Sequence, residues 1–151
     1  MDAAAQHSTQ DRQRIAEAVR QGLFANDTAA RSLGMDVEAI GPGTARISMT
    51  VRPDMLNGFD ICHGGFITTL ADTAFAYACN SHNQLTVAAG IVVDFIAPVH
   101  EGDRLTAEAR EVALKGRSGV YDITVTNQDR KTVAVMRGRS YTQKGKSVVA
   151  L

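Results

Sequence analysis

The chain has 151 residues, 44% apolar and 21% charged, with 16 Lys and Arg balanced by 16 Asp and Glu. That length fits one domain with a real core, and the even charge excludes a general attraction to nucleic acid or an anionic membrane surface. Two cysteines, Cys62 and Cys79, make no disulfide framework, which fits a cytoplasmic location.

In chain order, the opening MDAAAQHSTQDRQR has no apolar run behind a basic start and does not read as a secretory signal. Residues 8–25 are expected to form an amphipathic helix. Ser8 or Thr9 can cap it, and Ile15, Val19 and Phe24, with Ala18 and Leu23, fall near one face. Residues 1–26 are thus read as an N-terminal helical extension. A short helix should start at Asn26 or Asp27 and end at Gly34. Residues 37–40 read as a strand, Gly41-Pro42-Gly43 as a turn, and residues 45–51 as an alternating second strand.

A loop, RPDMLNGFDICHGG, leads into an apolar helix of about residues 65–82. Its most apolar part, Phe66 to Cys79, is interrupted by Thr68, Thr69, Asp72 and Thr73, too short and too polar to span a bilayer. Four strands follow, at about 86–97, 103–114, 119–127 and 132–142, and residues 143–151 read as a flexible tail. Two strands, one apolar helix and four strands exclude a doubly wound parallel sheet. The pattern predicts an α+β fold with a long central helix wrapped by a curved antiparallel β-sheet. Such a sheet leaves edges and an outer face for another copy, so a homo-oligomer is expected.

Asp72 is the first candidate for chemistry. It sits in Leu70-Ala71-Asp72-Thr73-Ala74-Phe75-Ala76 with no Lys, Arg or His near it in sequence. A carboxylate removed from water without a partner is costly, so it is neutralised, paired or functional, here as general base or nucleophile. The alternative is an acid facing solvent on a polar stripe with Thr68 or Thr69. The second candidate is Cys62-His63-Gly64-Gly65, just before the helix. Free amides at a helix start, with glycines permitting close approach, can form an oxyanion hole; the alternative is a tight turn that merely needed glycine.

Asp72 lies eight residues past Gly64, roughly 12 Å along a helix. One chain therefore cannot offer both groups to one carbonyl. Two antiparallel helices from two subunits would have to face each other, giving two equivalent shared sites. Asn57 could hold water or a carbonyl, or simply make the Asn-Gly turn. His63 could act as a base or as a structural hydrogen-bonding group. A Cys62 thiol nucleophile fits poorly, because neighbours in an extended stretch point apart. His7, His82 and His100 are scattered, and no metal spacing, Walker sequence, dinucleotide fingerprint or nucleophile elbow is present. Lys115, Arg117, Arg130, Lys131, Arg137 and Arg139 could include phosphate-binding groups or form a solvated surface. Phe59, Phe66, Phe75 and Tyr77 could line a pocket or fill the core.

Asn57-Gly58, Cys62-His63-Gly64-Gly65 and the run from Leu70 to Ser81 closely resemble the PaaI-type hotdog-fold acyl-CoA thioesterases of phenylacetic acid degradation. Val93-Asp94-Phe95-Ile96-Ala97-Pro98 and Gly119-Val120-Tyr121-Asp122-Ile123 are similar too, and the likeness spans about residues 27–142. The resemblance implies a hotdog domain, edge-to-edge dimers and often tetramers. It implies an oxyanion donor at the Gly64 amide, an acid at Asp72 from the facing subunit, and a positioning role for Asn57. His63, Gly65 and Thr73 are expected to contact substrate. Relatives often carry a serine near positions 88–89, where this chain has Ala88 and Ala89. The expected activity is hydrolysis of an aromatic acyl-CoA such as phenylacetyl-CoA or hydroxyphenylacetyl-CoA, with no metal and no cofactor beyond the coenzyme A of the substrate. The rival is a non-catalytic acyl-CoA-binding regulatory module of the same fold. A hydratase would want an Asp–His pair in a loop, and none is found.

Overall fold

The computed structural model describes residues 8–151; His7 and the residues before it lie outside that range. Helix α1 (Thr9–Asn26) begins with a reciprocal cap: the Asp11 amide donates to the Ser8 hydroxyl, and the Ser8 amide donates back to the Asp11 carboxylate. Asp27 then caps the short α2 (Thr28–Ser32) by accepting from the Ala30 amide. Strands β1 (Asp36–Gly41) and β2 (Thr44–Thr50) form a hairpin. The loop before α3 (Gly64–Asn80) contains a 3-10 turn (Pro53–Met55) that the sequence pattern does not mark. Strands β3 (Thr86–Phe95), β4 (Arg104–Lys115), β5 (Ser118–Thr126) and β6 (Thr132–Thr142) complete the chain.

All six strands join one antiparallel sheet in the order β1-β2-β4-β5-β6-β3. Alternation along β4, β5 and β6 turns Leu105, Ala107, Tyr121, Ile123, Ala134 and Met136 inward onto α3. Phe75 and Tyr77 are fully buried core residues, whereas Phe59 is 85% exposed in the loop before α3. Phe75 packs on Gly138, where no side chain would fit, and lies 5.4 Å ring to ring from Tyr121. The helix ends two residues earlier than periodicity alone suggests. The Asn80 side chain bridges to both backbone groups of Thr86, and the Ser81 hydroxyl donates to the Ala78 carbonyl while accepting from the Gly43 amide.

The two sheet edges differ. Along β1, α1 supplies side-chain donors to edge carbonyls: Gln13 Nε2 to Ile40 at 2.8 Å and an Arg20 guanidinium nitrogen to Val37 at 2.6 Å. Among the described residues β3 pairs only with β6; it is bulged between Ala88 and Gly90 and exposes Val87, Ile91, Val92 and Phe95. Residues 143–151, expected as a flexible tail, are instead tied down over part of their length. The Leu85 amide donates to the Lys146 carbonyl, and Asn83 Oδ1 accepts from the amides of Val148 and Val149. No described helix is long and apolar enough to cross a membrane.

Candidate active site

The segment entering α3 is held by backbone bonds at successive residues. The Cys62 amide donates to the Val99 carbonyl at 2.7 Å, and the His63 amide to the Met55 carbonyl at 2.8 Å. His63 then occupies the cap position in an extended conformation and makes no side-chain cap bond. The Phe66 amide is satisfied by the His63 carbonyl at 3.0 Å. The amides of Gly64 and Gly65, at the start of the helix, have no acceptor among the described residues. Two unpaired N–H groups at the positive end of a 17-residue helix form a ready seat for developing negative charge.

The two glycines differ in what surrounds them. A Cβ on Gly64 would stand 2.8 Å from Cζ of Phe95, the far end of a half-exposed side chain that would have to turn aside to admit it. A Cβ on Gly65 would meet nothing nearer than His63 Nδ1 at 3.9 Å; it points into open space.

Asn57 does make the turn. Its Oδ1 accepts from the amides of Phe59 at 2.8 Å and Ile61 at 3.4 Å. Its side-chain NH2 has no acceptor among the described residues, so toward a ligand Asn57 can act only as a donor. The threonines of α3 are committed in the opposite sense. Thr68, Thr69 and Thr73 each donate their hydroxyl to the carbonyl four residues back, at 2.8, 2.8 and 2.7 Å. Each keeps lone pairs for accepting and has no proton left to give.

Asp72 lies midway along the one stripe of α3 that the sheet leaves open, with Gly65, Thr68, Thr69, Thr73 and Ala76. In the single chain it shares that stripe with Thr68 and Thr69, the arrangement the alternative reading described. Yet its carboxyl is partly buried and has no hydrogen bond or ion pair among the described residues, and burial raises its pKa above the ordinary carboxylate value. Cys62 is buried and its thiol is pushed up to about 11, chiefly by burial, so it is a poor nucleophile near neutral pH.

Asn57, His63, Gly64 and Gly65 line one open cleft of about 740 Å³ between the start of α3 and the end of β3. Thr68 is on its wall; Asp72 and Thr73 are not. Within one chain the two groups stand apart: Gly64 and Gly65 line the cleft, and Asp72 lies farther along the same helix, off its wall. The sequence reading missed Phe95 and Ile96 as cleft residues. Their signal was a strand apolar on both faces, ending in Phe95-Ile96-Ala97-Pro98. None of the six basic candidates lines the cleft; Arg137 forks onto Asp122 at 2.7 and 3.0 Å, and Arg117 lies over the Tyr141 ring.

The sequence pattern of the Thioesterase superfamily matches residues 59–134. An acyl-coenzyme A thioesterase, PaaI of Escherichia coli, is 47% identical over 79% of this chain and 85% of its own length. The solved structure of the E. coli PaaI protein from the phenylacetic acid degradation operon superposes with a TM-score of 0.87 at 43% identity, covering 89% of this chain and 97% of that one. A Streptococcus mutans protein solved bound to acetyl CoA superposes with a TM-score of 0.72 at 25% identity, covering 75% of this chain and 91% of that one.

Proposed function

The chain belongs to the Thioesterase superfamily and has the hotdog fold, and from that premise we propose that it hydrolyses acyl-CoA thioesters, with an arylacetyl-CoA such as phenylacetyl-CoA or a hydroxylated relative as substrate. The observation that carries this reading is the pair of unpaired amides, Gly64 and Gly65, opening into an apolar cleft. The 47% identity to the E. coli acyl-CoA thioesterase supports coenzyme A as the leaving thiol. The operon in which that relative's solved counterpart is placed supports the aryl group.

In the working enzyme two chains pair through β3, the edge that α1 does not cover, and bring their α3 stripes face to face. The thioester carbonyl of one site accepts from the Gly64 N–H, with the Asn57 NH2 as a further donor to substrate or water. Asp72 of the other subunit stands over the carbonyl carbon. Its carboxylate either adds to that carbon, expelling the thiolate and leaving an anhydride that water opens, or removes a proton from the water that adds. Both routes place negative charge on the carbonyl oxygen, where the helix N-terminus stabilises it. His63 and Gly65 form the adjacent wall, and Thr73 can accept a hydrogen bond beside the acid. The Ala88-Ala89 pair puts no hydroxyl in β3 beside the bulge, so water positioning falls to Asn57 and Asp72.

The test is release of free thiol from a panel of acyl-CoAs, with phenylacetyl-CoA expected among the best substrates by kcat/KM. Tight binding without release from any member would overturn hydrolysis in favour of a ligand-sensing module. A single turnover in oxygen-18 water separates the two routes: only the anhydride route leaves label in Asp72.

A further inference from the structure

Phe95 ends β3 with its side chain on the inner face of the sheet, registered opposite Ala134. The tip of its ring abuts the first turn of α3: a Cβ at Gly64 would lie 2.8 Å from Cζ and 3.1 and 3.2 Å from the two flanking ring carbons. The ring thus lies between the end of β3 and the start of α3 and is still 52% exposed, leaving part of it free to meet a ligand. It borders the cleft into which the Gly64 and Gly65 amides open, and it is the only phenyl ring there among the described residues. The nearby apolar walls, Ile61, Ile67, Ile96 and Pro98, are aliphatic.

An acyl group whose carbonyl oxygen sits on the Gly64 amide is bound beside this ring, which lies against Gly64. We propose that Phe95 is the specificity-determining residue of the site, its ring face selecting flat aromatic acyl groups over saturated ones of the same size. This rests on the acyl-CoA hydrolase reading given above. An aromatic pair adds attraction beyond the area it covers. Aliphatic walls give no such discrimination.

The test compares kcat/KM for phenylacetyl-CoA and cyclohexylacetyl-CoA in the full-length protein and in Phe95→Leu and Phe95→Tyr, with light scattering and thermal melting alongside. The expected result is a phenyl-to-cyclohexyl ratio lowered about two- to tenfold by Leu and retained by Tyr, the range of an aromatic pair, with assembly unchanged. An equal loss on both esters, a ratio unmoved by Leu, or a Leu variant that falls apart into monomers overturns the assignment while leaving the hydrolase reading in place. A wild-type protein that releases thiol from no member of the acyl-CoA panel sinks the hydrolase reading itself, and this assignment with it.

Discussion

A carboxyl on a half-buried helix stripe, with no cation beside it, binds its proton more tightly folded than unfolded. Burial raises the Asp72 pKa above its ordinary value of 3.8. Between that value and the raised one the folded state holds more proton, so stability falls as pH rises through the window and then levels. Asp72→Asn removes this penalty: it should melt higher than wild type at pH 7, with the difference gone below about pH 4, as thermal unfolding at several pH values would show. The same titration should appear in catalysis. A base or nucleophile must be ionised, so kcat/KM should drop on acidification at a pH above the usual carboxylate range. Asp72→Ala should lose about 10²- to 10⁴-fold in turnover with its circular dichroism intact, since alanine is the best helix former. The diglycine separates in the same way. Gly64→Ala brings a methyl against the tip of the half-exposed Phe95 ring, which can turn aside, and should cost at most about 1 kcal/mol, the low end for overpacking. Gly65→Ala meets only His63 Nδ1, at an ordinary contact distance of 3.9 Å, and should not lower the melting temperature, although its methyl enters the cleft.

At the scale of elements, α3 is held by its burial and α1 by what it does for β1. Phe75 is 0% exposed and fills the space that Gly138 leaves free, so Phe75→Ala should cost about 3–5 kcal/mol in chemical denaturation. Helix α1 buries only Ala16 and Val19 fully, yet Gln13 and Arg20 satisfy carbonyls that an edge strand would otherwise offer to any passing chain. The double variant Gln13→Ala/Arg20→Ala should lose about 1–3 kcal/mol in all. It should also form species larger than wild type at high concentration, read by light scattering. Periodicity revealed α1 as amphipathic without revealing its target, because the groups it meets belong to β1 and become neighbours only after folding.

For the whole molecule, the proposed division of the site between two chains predicts complementation. Asp72→Ala chains mixed with chains blocked at the diglycine by Gly64→Val should regain activity in the heterodimer, which keeps one intact site; with subunit exchange verified by native mass spectrometry, zero recovery would refute the shared site. Much of this architecture was legible in the sequence. Apolar spacing marked α3 and its lone acid, alternation marked the strands, and helix rise set Asp72 and Gly64 apart along one helix. These are local properties, written in neighbouring residues and fixed by backbone geometry. The tertiary structure alone decided the rest: that β1 is capped and β3 open, that Asn83 holds Val148 and Val149, and that the Phe95 ring lies against Gly64. Each of those is a contact between segments far apart in the chain, set by how the sheet closes around the helix, and no spacing within a single segment encodes it.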